Sequence, residues 1–112
     1  MSDANTIVIA ADSGISIRSL DDISEAVGAC IGSEGLILTE EELSPDFFDL
    51  RTGLAGELFQ KFMNYRLRLA IVLPDPHRYG ERFSELAYEH RSHNTIRFVS
   101  STSEARSWLH SQ

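Results

Sequence analysis

A single cysteine, Cys30, has no partner for an intramolecular disulfide, and it falls on the apolar face of a predicted helix, where a small buried side chain is the expected use. Lysine is just as scarce, with Lys61 alone beside nine arginines spread from Arg18 to Arg106 and never gathered into a basic patch. With 17 acids against 10 bases the net charge is −7, a surface that repels phosphate backbones, so no nucleic-acid partner is expected. Long apolar runs are missing too. Nothing approaches the roughly 20 residues a membrane-spanning helix needs. The opening residues Met1–Asn5 lack the basic-then-apolar pattern of a signal peptide. The expectation is a cytoplasmic protein with no membrane partner.

What is present suits one packed domain over residues 1–112, at 42% hydrophobic and 24% charged residues. Its organising stretch is Asp46–Tyr65. Leu43-Ser44-Pro45-Asp46 reads as a helix start at Pro45, with Ser as cap, Pro tolerated in the first turn and Asp at the positive end of the dipole. Leu54, Ala55, Leu58, Phe59 and Phe62 then recur at helical spacing, with Glu57, Gln60, Lys61 and Asn64 opposite. Glu57 and Lys61 stand four apart in the favourable order for local ion pairing. Gly53 and Gly56 would each cost about 1 kcal/mol inside a helix. The expectation is a break near Arg51 and a restart with Thr52 as the new cap.

Upstream, Thr6–Ala10 and Ile15–Ile17 flank Asp12-Ser13-Gly14, a turn signal that predicts an opening antiparallel β-hairpin. Ser19-Leu20-Asp21-Asp22 opens an amphipathic helix carrying Ile23, Ala26, Val27, Cys30 and Ile31. Gly35–Thr39 is a short apolar run, the mark of a parallel strand buried on both faces; Glu40-Glu41-Glu42, Asp46 and Asp49 gather negative charge at its carboxyl end, where ligands bind in open α/β sheets, but a solvated acidic loop is the expected reading. Arg68–Leu73 is a second such strand, stopped by Pro74-Asp75-Pro76, with His77 and Arg78 exposed beyond it. Tyr79, Phe83, Leu86, Ala87 and His90 mark another helix, Thr95–Val99 the last strand, and Ser101–Glu104 a capping box before a terminal helix with Ala105, Trp108 and Leu109. The order is ββαβαβαβα. It predicts an α/β domain with flanking helices and a mostly parallel sheet, edged by the antiparallel hairpin.

The run D-F-F-D-L-R-T-G-L-A-G-E-L-F-Q-K-F-M-N-Y from Asp46 to Tyr65 closely resembles the signature of a bacterial family known as domain of unknown function 4180, and the likeness extends through L-A-I-V and the closing E-A-x-x-W-L helix. The family implies no activity. The element order is also similar to the domain shared by sulfate transporters and anti-sigma-factor antagonists (STAS), small cytoplasmic proteins that bind partner proteins. There a Ser or Thr opening the helix after a central strand, in an Asp-Ser-x-Gly-Leu context, is a phosphorylation switch. Asp49-Leu50-Arg51-Thr52-Gly53-Leu54 resembles that context, which makes Thr52 the candidate phosphorylation site.

The functional expectation is a non-catalytic regulatory or protein-interaction domain, STAS-like, that binds a protein partner or itself as a homodimer around the central helix. The alternative is a small-ligand-binding protein or enzyme with a polar site around Asp49, Arg51, Glu57 and Glu89. In that case Glu89 or Asp49 would be the general base, and Lys61 or Arg51 would hold a small anionic ligand. His90 and His93 lack a third ligand at defined spacing, so neither metal nor cofactor is expected. Phe47, Phe48, Tyr65 and Trp108 can be read as an aromatic binding box, but core packing is the expected use of aromatics beside apolar stripes.

Overall fold

Strands β1 (Ile7–Ile9), β2 (Gly35–Thr39), β3 (Leu69–Val72) and β4 (Ile96–Val99) form one sheet in that spatial order, and every pair is parallel. The computed structural model describes residues 6–111; residues 1–5, on which the signal-peptide expectation rests, lie outside it. Among the described residues six α-helices accompany the sheet: α1 (Ala10–Ser13), α2 (Leu20–Cys30), α3 (Pro45–Phe48), α4 (Leu54–Asn64), α5 (Glu81–Glu89) and α6 (Thr102–His110). Among the described residues no helix is long and apolar enough to cross a membrane.

Consecutive parallel strands that lie side by side require crossovers of one hand, and right-handed crossovers put every connecting helix on the same face. The packing shows this. Leu36, Leu38, Leu69, Ile71, Ile96 and Phe98 meet the apolar stripes of α2, α4 and α5 in the larger core. The alternate residues Ile37, Ala70, Val72 and Val99 meet Ala105, Trp108 and Leu109 of α6 in a smaller one. Period-two alternation thus feeds two cores from strands that read as continuous apolar runs. Trp108 is held from the sheet side by cations, with Arg68 at 5.6 Å and Arg97 at 4.8 Å from its ring.

The opening hairpin is absent. Ala10–Ser13 continues β1 as a single helical turn, Gly14 ends it at φ 71°, and Ile15 N–H donates back to Ala10 O at 3.0 Å. A glycine able to take positive φ caps a helix as readily as it turns a hairpin, and here the cap wins. Ile17 makes only an isolated parallel bridge to Leu43, so no antiparallel edge exists among the described residues.

The central block behaves largely as its residues suggest. A helix starts at Pro45 and stops at Asp49; a 3-10 turn, Leu50–Thr52, follows, and Gly53 at φ 79° redirects the chain into α4. The restart differs from expectation in one respect: Gly53, not Thr52, is the N-cap residue. Thr52 still serves the junction, because its hydroxyl accepts from Leu54 N–H at 3.2 Å and lies 2.7 Å from Asp46 O and 2.9 Å from Asp49 O.

Candidate functional site

The segments that follow β2 and β3 enclose a cleft of about 950 Å³ at the carboxyl ends of the strands, lined by residues 48–51 on one side and 79–83 on the other. Ligands of open α/β sheets bind at this carboxyl edge, at a reversal of strand order; here the order does not reverse, and the walls come from the segments after β2 and β3. Its floor is aromatic. Phe48 stacks on Tyr79 with ring centroids 3.7 Å apart and planes 8° from parallel, and both meet buried Phe83 edge-on at 5.1 and 6.1 Å. Behind them, fully buried Phe47 contacts Phe48, Phe59 and Phe83, so the wall is anchored to the main core.

Polar groups frame this floor. Asp49 takes Arg51 in a two-pronged pair, Nε to Oδ1 and Nη2 to Oδ2 both at 3.0 Å, and also accepts from Arg51 backbone N–H. The Arg51 guanidinium and backbone hold the Asp49 carboxyl below its usual value. Across the cleft stand Glu81 and Arg82, both exposed and, among the described residues, in no ion pair. Tyr79 Oη donates to Glu40 Oε2, and Arg78 Nη1 lies 3.6 Å from the same oxygen. Burial first, then the Glu40 carboxylate, raise the Tyr79 phenol above its ordinary value. Gly80 turns the chain at φ 98° and opens α5 without a side-chain cap.

The acidic run after β2 is therefore not a solvated loop. Glu40 anchors Tyr79, and Glu42 is buried with its carboxylate reaching back to Thr39 backbone N–H at 2.8 Å and to its hydroxyl at 3.0 Å. Of the three, Glu41 alone is exposed.

Of the residues singled out in the sequence, Asp49 and Arg51 line the cleft. Thr52 is adjacent but outside the lining, with its hydroxyl committed to backbone groups. Glu57 and Lys61 sit on the polar side of α4, and among the described residues no ion pair joins them. Glu89 closes α5, eight residues and so about 12 Å along the helix from Glu81. Among the described residues no three His, Cys, Asp or Glu side chains gather in a way that could hold a metal ion. Cys30 is buried, and burial pushes its thiol up to about 11. Of the four aromatics, Phe47 and Trp108 are buried in the cores, Phe48 lines the cleft and Tyr65 is exposed. Leu50, Tyr79 and Arg82 were not legible as site residues. Applying the strand-end rule to β2 and β3 together, rather than to the acidic run alone, would have pointed to both cleft walls.

A family model for a domain of unknown function, DUF4180, matches residues 2–109, and the chain belongs to that family. No curated protein and no solved structure matches it.

Proposed function

We propose that this DUF4180 domain is a non-catalytic, cytoplasmic regulatory domain that binds a protein partner through the cleft between residues 48–51 and 79–83. One observation carries the reading: an open cleft with an aromatic floor framed by the Asp49–Arg51 pair on one wall and Glu81 and Arg82 on the other. Phe, Tyr and Arg are the side chains that dominate interface cores, because they remove large apolar areas from water while keeping a polar handle. Leu50 at the rim is 36% exposed and Arg82 has no carboxylate partner among the described residues, so both are available to an incoming chain. The STAS-like role belongs to the same reading. A phosphate on Thr52 would add about −2 charge beside the cleft and would displace the hydroxyl from Asp46 O, changing both the partner surface and the α3–α4 junction.

The cleft volume favours a second reading, a small anionic ligand, since about 950 Å³ lies within the range of small-molecule sites. Native mass spectrometry of the protein purified from its host separates the two, because a bound protein, a second copy of this chain and a metabolite differ in mass. The same spectrum of a Leu50→Asp, Arg82→Glu variant tests the site. The wild type should carry a bound species that the variant loses. A species retained equally by the folded variant removes the cleft from the function. If Thr52→Ala and Thr52→Glu both bind as wild type does, the switch is refuted.

A further inference from the structure

The turn joining α5 to β4 is held by one imidazole. His93 Nδ1 accepts from the backbone N–H of Thr95 at 3.0 Å and of Ile96 at 3.1 Å. A ring nitrogen that accepts two donors carries no proton, so the neutral ring here has its hydrogen on Nε2. The geometry is that of an Asx turn with imidazole in place of a carboxamide. From the strand side, Arg97 braces the same turn, Nε donating to His93 O at 2.7 Å and Nη2 reaching Ser92 O at 3.4 Å. The held segment begins the sheet contact, because Thr95 O accepts from Leu69 N–H at 2.8 Å. Among the described residues β4 is an edge strand, with β3 as its one neighbour.

We propose that His93 is an acid-released latch on β4: neutral, it fixes the start of the strand; protonated at Nδ1, it lets the turn and the first rung of the sheet open. Protonation converts a double acceptor into a donor that faces two N–H groups. Among the described residues no acidic neighbour compensates. The charged or titratable groups facing the ring are His90, at the end of α5 and 5.1 Å away between centroids, and Arg97 on β4. His90 is fixed by Nδ1 at 2.9 Å from Leu86 O and by Phe59 of α4 and Phe98 of β4, both apolar. Among the described residues no carboxylate forms an ion pair with His93. Partial burial, then His90 and Arg97, lower the His93 value from the ordinary 6.5. The sign follows from linkage. With the folded-state value depressed, the stabilisation is complete above the unfolded value near 6.5 and is lost as pH falls below it.

The test compares wild type with His93→Asn, whose side-chain oxygen can accept the same two N–H groups without titrating. In hydrogen exchange between about pH 7.5 and about pH 5, after correction for intrinsic rates, the protection of Thr95 and Ile96 should fall in wild type and stay within about twofold in His93→Asn. NMR titration of the His93 ring in wild type should give an apparent value below 6.5. Protection profiles that match in the two proteins overturn the latch, as does a His93 ring titrating at or above 6.5. The ring titration is read in the unmodified protein, so it decides the matter even if the Asn variant does not fold.

Discussion

Replacing Gly35 with alanine should be among the most damaging single-methyl additions to this fold. Gly35 begins β2 at φ 151°, a conformation that side chains rarely adopt, and a Cβ built there would stand 2.7 Å from Leu109 Cδ2 and 2.8 Å from Arg68 O. Leu109 can rotate; Arg68 O cannot, because it accepts from Leu36 N–H at 3.0 Å and starts the β2–β3 ladder. Backbone strain of about 1–3 kcal/mol and overpacking of about 1–3 kcal/mol together give about 2–6 kcal/mol. That is a large share of the roughly 5–15 kcal/mol that stabilises a domain of this size. Gly28 in α2 and Gly56 in α4 are the internal controls, since a Cβ at either meets nothing within 4 Å. Gly28→Ala and Gly56→Ala should each stabilise by about 0.5–1 kcal/mol. Urea denaturation followed by circular dichroism reads all three. A Gly35→Ala loss below about 1 kcal/mol with an unchanged m value would refute the close approach of α6 to β2.

Ser44 is buried at the N-cap position of α3, yet its hydroxyl has no partner among the described residues, so Ser44→Ala should leave stability unchanged or raise it by up to about 1 kcal/mol. Ser101→Ala, which removes the cap on Glu104 N–H at 3.1 Å, should cost about 1 kcal/mol in the same denaturation assay. Thr52→Ala should cost about 1–2 kcal/mol, since its hydroxyl ties α3, the 3-10 turn and α4 together. With a thiol value near 11, Cys30 is thiolate in roughly one molecule per thousand at pH 8. Alkylation of the folded protein should therefore be negligible and should become complete in denaturant.

The elements were legible where one period dominated. Strands such as Leu36-Ile37-Leu38 and helix stripes such as Ile23, Ala26, Val27 and Cys30 bury the residues their spacing marks. The misreadings fall where one residue type serves two geometries. Gly14 closes a helical turn instead of a hairpin, and Gly53 rather than Thr52 caps α4. The three acids after β2 have one local composition but three environments, set by Tyr79, by solvent and by Thr39. The cleft was half legible for a related reason. Asp49 and Arg51 belong to a polar pair two residues apart, which sequence displays. The Phe48–Tyr79 stack joins residues with the whole of α4 and β3 between them, and no local pattern encodes such a contact.

The sheet order explains why the cleft depends on these irregular segments. Doubly wound sheets open a crevice where the strand order reverses and the crossovers switch faces. Here the order runs β1-β2-β3-β4 without reversal, and α2, α4 and α5 share one face, so the topology alone opens no crevice. A concave site has to be added at the strand ends. Residues 40–53 after β2, a 3-10 turn, α3 and a second 3-10 turn, and residues 74–80 after β3, a single 3-10 turn, do this, and each segment ends in a positive-φ glycine, Gly53 at 79° and Gly80 at 98°, that redirects the chain into α4 or α5. The Tyr79–Glu40 bond and the Phe48–Tyr79 stack fasten the two segments to each other. Tyr79→Phe would keep the stack and lose the bond, while Tyr79→Ala would lose both. If the segments are built to hold the cleft rather than merely to close the fold, the alanine variant should lose the binding proposed for the cleft at temperatures where the sheet and its circular dichroism spectrum remain intact, and the phenylalanine variant should keep most of it. Equal binding by wild type and Tyr79→Ala would show that the cleft walls do not depend on that contact.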